Sequence, residues 1–158
     1  MSMTKNQSSV MPAGGAITAI DVGLLIFRIG LATVFLAHGS QKMFGWFGGP
    51  GLSATIAKMG EGGIPAPLAF LAAFTEFFGG LAVLGGLLSR LASLGLLVTM
   101  LVAIFGVHLS AGFFNTAKVA GFEYPFALAA MALTLIITGP GRIAIADIEG
   151  RLFRRRGK

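Results

Sequence analysis

The residues of this chain that can move protons or hold a polar ligand are few, and they collect at the edges of apolar stretches. His38 and His108, the two histidines, close two such stretches. Lys42 follows His38 by four residues, and Glu123 with Tyr124 opens a further stretch. If the stretches are antiparallel helices, these ends share one face. Two imidazoles, a carboxylate, an ammonium and a phenol at one mouth suit an anion, a quinone head group or a proton relay. Two histidines and a carboxylate can also form a metal-ligand set. Haem held by both histidines would further require their rings to face each other, and no metal ligand is assigned. The plainer reading is that residues at helix ends are solvated or capping, and Glu123 at a helix N-terminus is favoured by the dipole alone. For each histidine singly the plainer reading is the better one. The set together points to ligand binding by His38, Lys42, His108, Glu123 and Tyr124.

Arg28 and Glu76 lie inside apolar segments instead. With helix ends taken at His38 and Ala66, each sits ten residues in, roughly 15 Å below one surface. A lone charge at that depth costs about 2.5–3.5 kcal/mol on insertion scales, and pairing reduces the cost. The expectation is a buried Arg28–Glu76 ion pair, either a structural staple or a catalytic proton or ligand site.

These residues need elements to position them, and composition indicates which kind. Of 158 residues, 55% are hydrophobic and 11% charged, with mean hydropathy +0.85. So few charges cannot cover a water-exposed surface, so lipid must cover much of it. The fold class expected is all-α, an integral membrane four-helix bundle. Spans are expected at Ile20–His38, Ala66–Leu88, Leu91–Leu109 and Glu123–Thr138, near the 20 residues or so that a bilayer core requires. Pro65, Pro67 and Pro125 suit helix starts, and Gly139-Pro140-Gly141 a stop. Leu52–Met59 reads as a short interfacial helix on the outer side, with Trp46 and neighbouring Phe residues as interfacial anchors. Small residues at four-residue spacing, such as Gly95-Thr99-Ala103, allow helices to approach closely.

The chain divides into a flexible N-terminus (1–19), a four-helix domain (20–141) and a basic amphipathic tail (142–158). The first apolar run is too long for a signal-peptide core and is expected to be retained. Eight Lys and Arg residues fall on the side of the termini and only Lys42, Lys58 and Lys118 on the other. The positive-inside rule therefore expects both termini in the cytoplasm, with the tail on the anionic leaflet. That placement explains the net charge of +6 without nucleic acid, for which no recognition motif is present. The absence of cysteine excludes disulfides and thiolate chemistry. The pairs Gly48-Gly49 and Gly79-Gly80 lack the context of a phosphate loop.

Several ordered motifs together resemble the DoxX family: Arg28-Ile29-Gly30 through His38-Gly39-Ser40-Gln41-Lys42, Phe44-Gly45-Trp46-Phe47-Gly48-Gly49, Glu76-Phe77-Phe78-Gly79-Gly80, Leu88-Ser89-Arg90-Leu91-Ala92, Val107-His108, Glu123-Tyr124-Pro125 and Gly139-Pro140-Gly141-Arg142. The likeness covers roughly residues 22–148. It implies a four-helix protein of the bacterial inner membrane. Such proteins are described as oxidoreductase or thiosulfate:quinone oxidoreductase subunits, or as members of redox-stress complexes, with activity unestablished for most. Arg28, His38, Lys42, Glu76, His108 and Glu123 fall on its motif positions. The leading expectation is a quinone-linked redox subunit or accessory component, with quinone as the candidate cofactor and the bilayer and a redox protein as partners. The alternatives are a non-catalytic scaffold docking a soluble redox enzyme, and a solute or proton pathway that would require a homo-oligomer.

Overall fold

The computed structural model describes residues 16–145, and these are helical or in connecting turns. The expected basic tail beyond residue 145, and all but the end of the expected flexible N-terminus, lie outside them.

Helix α1 (Ala19–Phe44) starts at a capping box. The Asp21 carboxylate accepts the Thr18 backbone N–H at 2.9 Å, while the Thr18 hydroxyl accepts the Asp21 N–H at 3.3 Å. Two orphan donors of the first turn are thereby satisfied. The helix runs six residues past the expected end at His38 and stops at Gly45, whose φ of 72° only glycine adopts without cost. A short turn, Trp46–Gly48, leads to α2 (Gly51–Glu61), which packs against α1 and α3.

Helix α3 (Ala66–Gly85) opens behind Pro65, with Pro67 in its first turn. Helix α4 (Ser89–Ala111) returns, and α5 (Glu123–Thr138) crosses last, ending at Gly139 with φ 76°. Helices α1, α3 and α4 are long and apolar enough to cross a bilayer, while α5 is a shorter apolar helix of 16 residues. Large apolar side chains such as Leu91, Phe105 and Ile137 point outward, each at least 60% exposed. An aqueous surface of that kind would be untenable, and lipid is its natural solvent. The fold is a helical membrane bundle.

Both α3 and α4 are interrupted by one π-helical turn, Thr75–Gly79 and Ile104–His108. Such turns insert an extra residue and re-aim the side chains around them, frequently at functional sites. Leu31, Ala32, Leu96, Ala132 and Leu135 fill the bundle centre and are wholly buried. Glycine contacts set the α1–α3 register. A Cβ on Gly39 would lie 2.5 Å from the Phe77 nitrogen, and one on Gly80 would lie 3.2–3.3 Å from Leu36 and Phe35. Gly39 is therefore level with Glu76 and Phe77.

Candidate functional site

That register overturns the expected Arg28–Glu76 pair. Arg28 precedes Gly39 by eleven residues, so it lies about 16 Å along the axis from the level of Glu76. His38 and Ala66 do not lie at one level, because α1 continues to Phe44 and Gly39 meets α3 at Phe77, eleven residues beyond Ala66.

Arg28 instead sits near the opposite end of the bundle, 1% exposed. Its Nε donates to the Val83 carbonyl at 2.8 Å and its Nη2 to Leu84 at 2.5 Å. Its Nη1 donates to Pro140 at 3.0 Å and to Ile143 at 2.6 Å. The guanidinium thus satisfies carbonyls at the end of α3 and beyond the end of α5, where helix dipoles favour a cation. Beside it the Asp21 carboxylate accepts the Arg142 backbone N–H at 2.9 Å. This is a clamp holding the segment after α5 against α1 and α3.

Glu76 joins the other cluster. Its side chain is 3% exposed, and both carboxylate oxygens accept from the Lys42 ammonium. Oε2 lies 2.5 Å from Nζ. The π-turn in α3 carries Glu76, and the close approach at Gly39 brings it beside Lys42 three residues on. A carboxylate and an ammonium neutralise each other here, in surroundings where either alone would be costly.

The pair forms one wall of a cavity of about 200 Å³ among α1, α3, α4 and α5. His38, His108 and Tyr124 supply further polar lining, and Phe35, Met100, Ala103, Pro125 and Leu128 the apolar remainder. The Tyr124 hydroxyl lies 3.4 Å from His38 Nε2, with ring centroids 6.1 Å apart. His108, the last residue of the second π-turn, sets its Nδ1 2.9 Å from the Ala120 carbonyl. An ion pair, two imidazoles and a phenol around a ring-sized apolar space can hydrogen-bond a planar polar head and exchange protons with it.

Five of the residues singled out in the sequence meet here: His38, Lys42, Glu76, His108 and Tyr124. Glu123 does not line the cavity. It accepts the Asn115 N–H at 2.9 Å and ties down the α4–α5 loop. The apolar walls went unnoticed in the sequence because Phe35, Met100 and Leu128 look like any core residue. The π-turns were equally hidden, although Glu-Phe-Phe-Gly-Gly around Glu76 marks one of them. Among the described residues, no three His, Asp or Glu side chains are grouped so as to hold a metal ion.

Comparison with known proteins adds an independent line. The family model DoxX matches residues 23–109. The chain is 28% identical over 127 residues to "Putative oxidoreductase CatD" of Bacillus subtilis (strain 168), covering 80% of this chain and 87% of that one. It is 33% identical over 125 residues to "Inner membrane protein YqjF" of Escherichia coli (strain K12), covering 79% and 90%. No solved structure matches.

Proposed function

The chain belongs to the DoxX family of membrane proteins, and we propose that it is a quinone-linked redox subunit, or an accessory component of a membrane oxidoreductase complex, in the bacterial inner membrane. The observation that carries this is the cavity that combines a buried Lys42–Glu76 pair with His38, His108 and Tyr124 among apolar walls. The relatives named "Putative oxidoreductase CatD" and "Inner membrane protein YqjF" are consistent with it. The residues present fit a quinone head. Lys42 and Tyr124 can donate to a ring carbonyl, Glu76 and the imidazoles can accept from a ring hydroxyl, and Phe35, Met100 and Leu128 can pack on its faces. Bound quinone would supply two-electron, two-proton redox capacity, which no side chain of this cysteine-free chain offers. The chain's own residues orient the head and hold protons at Glu76 and His38. Electrons come from, or pass to, a partner redox protein. With both termini in the cytoplasm, as the distribution of Lys and Arg expects, this cavity lies toward the outer half of the bilayer.

Inward of the cavity, Leu31, Leu96 and Leu135 are fully buried, so the pathway alternative needs a passage between copies of the chain. The scaffold alternative remains distinct, since it needs no ligand.

The test is to purify the full chain in mild detergent, extract it with solvent and quantify quinone by mass spectrometry, with Glu76→Gln alongside. Near-stoichiometric quinone that falls at least tenfold in the variant is expected. Quinone no higher than in the detergent background would overturn the reading and move the search to a docked partner.

A further inference from the structure

Resting on the reading of the cavity as a site for a quinone head, we propose that its ligand is loaded sideways from the bilayer, through the seam between α1 and α5, with His38 and Tyr124 as the gate. The class of ligand is accordingly lipid-borne, a polar ring on an apolar tail, with the tail left lying in the seam.

The walls of the cavity are closed to very different degrees. Between α1 and α3 the backbones meet at Gly39 and Gly80. Between α3 and α4, Gly79 abuts Leu96 and Gly95 abuts Thr75. Helices α4 and α5 pack along their lengths, whereas α1 and α5 touch at few points. The top is also fastened. The α4–α5 loop is held by His108 on the Ala120 carbonyl at 2.9 Å and by Phe122 N–H on Gly112 at 3.0 Å. Glu123 N–H on Phe113 and Asn115 N–H on the Glu123 carboxylate, both at 2.9 Å, complete it.

The α1–α5 seam has one polar tie at the level of the cavity, the Tyr124–His38 contact. At 3.4 Å it is long for a hydrogen bond from a hydroxyl. At the far end Arg28 and Asp21 of α1 hold Pro140, Arg142 and Ile143, the segment that directly follows α5. A seam pinned at one end and loosely tied at the other can part where the cavity lies.

His38 and Tyr124 are also exposed, Tyr124 by 43%. They therefore line the cavity and reach the outside of the bundle together. Helical spacing puts Val34 on the stripe of His38, and Met131 on that of Tyr124. Both are only partly buried against the core. These four side chains border the path assigned to the tail. A separate apolar crevice of about 450 Å³ lies between α3 and α4, lined by Leu71, Thr75, Val98 and Thr99. It offers few polar groups, and Glu76 and Met100 line the other cavity and not this one.

The full chain in lipid nanodiscs is irradiated with a quinone carrying a diazirine on the first isoprene unit of its tail, with or without excess unmodified quinone. Labelled peptides are mapped by mass spectrometry. Displaceable label on the α1 and α5 stripes, at Val34, His38, Tyr124 or Met131, is the expected result. Displaceable label in the α4–α5 loop or in the α3–α4 crevice would overturn sideways loading through this seam and leave the quinone reading standing. No displaceable label anywhere would overturn both. His38→Ala removes the tie and is expected to speed loading several-fold, as read by the growth of label with incubation time. Unchanged loading in that variant would overturn the gate.

Discussion

Removing the Arg28 guanidinium takes the side-chain donor from four carbonyls on two segments at once, those of Val83, Leu84, Pro140 and Ile143, of which Val83 keeps the Gly86 N–H at 3.1 Å. A buried acceptor left without a partner costs about 1–3 kcal/mol. Arg28→Met should therefore unfold well below wild type in a detergent melt, yet retain quinone per folded molecule, because the cavity lies about 16 Å away along the bundle. Equal loss of quinone would return Arg28 to the site. Lys42 and Glu76 behave differently, because each exists to neutralise the other. Lys42→Met leaves a carboxylate, 3% exposed, without its cation. Breaking a buried pair by removing one partner costs about 3–5 kcal/mol, while replacing both by apolar groups is often neutral. The double variant Lys42→Met, Glu76→Leu should thus melt higher than Lys42→Met alone, while its quinone content is expected to fall with that of Glu76→Gln. A double variant less stable than the single would mean that the charges have further partners.

At the scale of elements, the site depends on how closely α1 approaches the π-turn of α3. Gly39→Ala places a methyl group 2.5 Å from the Phe77 nitrogen and 2.9 Å from the Glu76 carbonyl carbon. These are backbone atoms that cannot swing aside, so the helices must separate and Glu76 must withdraw from Lys42. Lower thermal stability and at least a tenfold loss of quinone are expected. Gly30→Ala is the matched control. Its Cβ meets nothing within 4 Å, and alanine in a helix interior is favoured over glycine by roughly 0.5–1 kcal/mol, so it should be neutral or stabilising. Similar damage from both changes would show that α1 is simply intolerant of alanine. The aromatic side chains near α2 belong to this scale too. Phe44 packs on Trp46 and Phe77 with centroids 5.0 and 4.9 Å apart, which joins the end of α1 to the same π-turn.

For the whole molecule the open question is orientation, and the cysteine-free chain is suited to answering it. Lys118→Cys lies in the loop between α4 and α5, and Leu87→Cys in the turn between α3 and α4. With both termini in the cytoplasm, a membrane-impermeant thiol reagent should label Lys118→Cys in cells whose inner membrane is intact. It should label Leu87→Cys only after that membrane is opened. The reverse pattern would invert the assignment and move the cavity to the cytoplasmic half.

Much of this architecture could be read without coordinates. Apolar runs of bilayer length, proline near helix starts and Gly139-Pro140-Gly141 at the last stop are local properties of the chain, and local chemistry decides where a helix in lipid begins and ends. The resemblance through Arg28, Glu76 and the Trp46 loop likewise needed only residue order. The candidates His38, Lys42, His108 and Tyr124 were legible because polar residues are scarce in so apolar a chain. Which of them meet was not legible, because partnership depends on register between helices. Register is set by contacts such as Gly39 on Phe77 and by the layer that α2 adds beside α3, and these involve residues far apart in the chain. A shift of about three turns was enough to exchange the partner of Glu76 from Arg28 to Lys42, and to turn Arg28 from a site residue into a clamp on carbonyls. Glu76 and His108 both lie on π-turns, and both line the cavity. Local chemistry along the chain set the elements and the inventory of polar groups, whereas packing between distant helices chose which of those groups share a cavity.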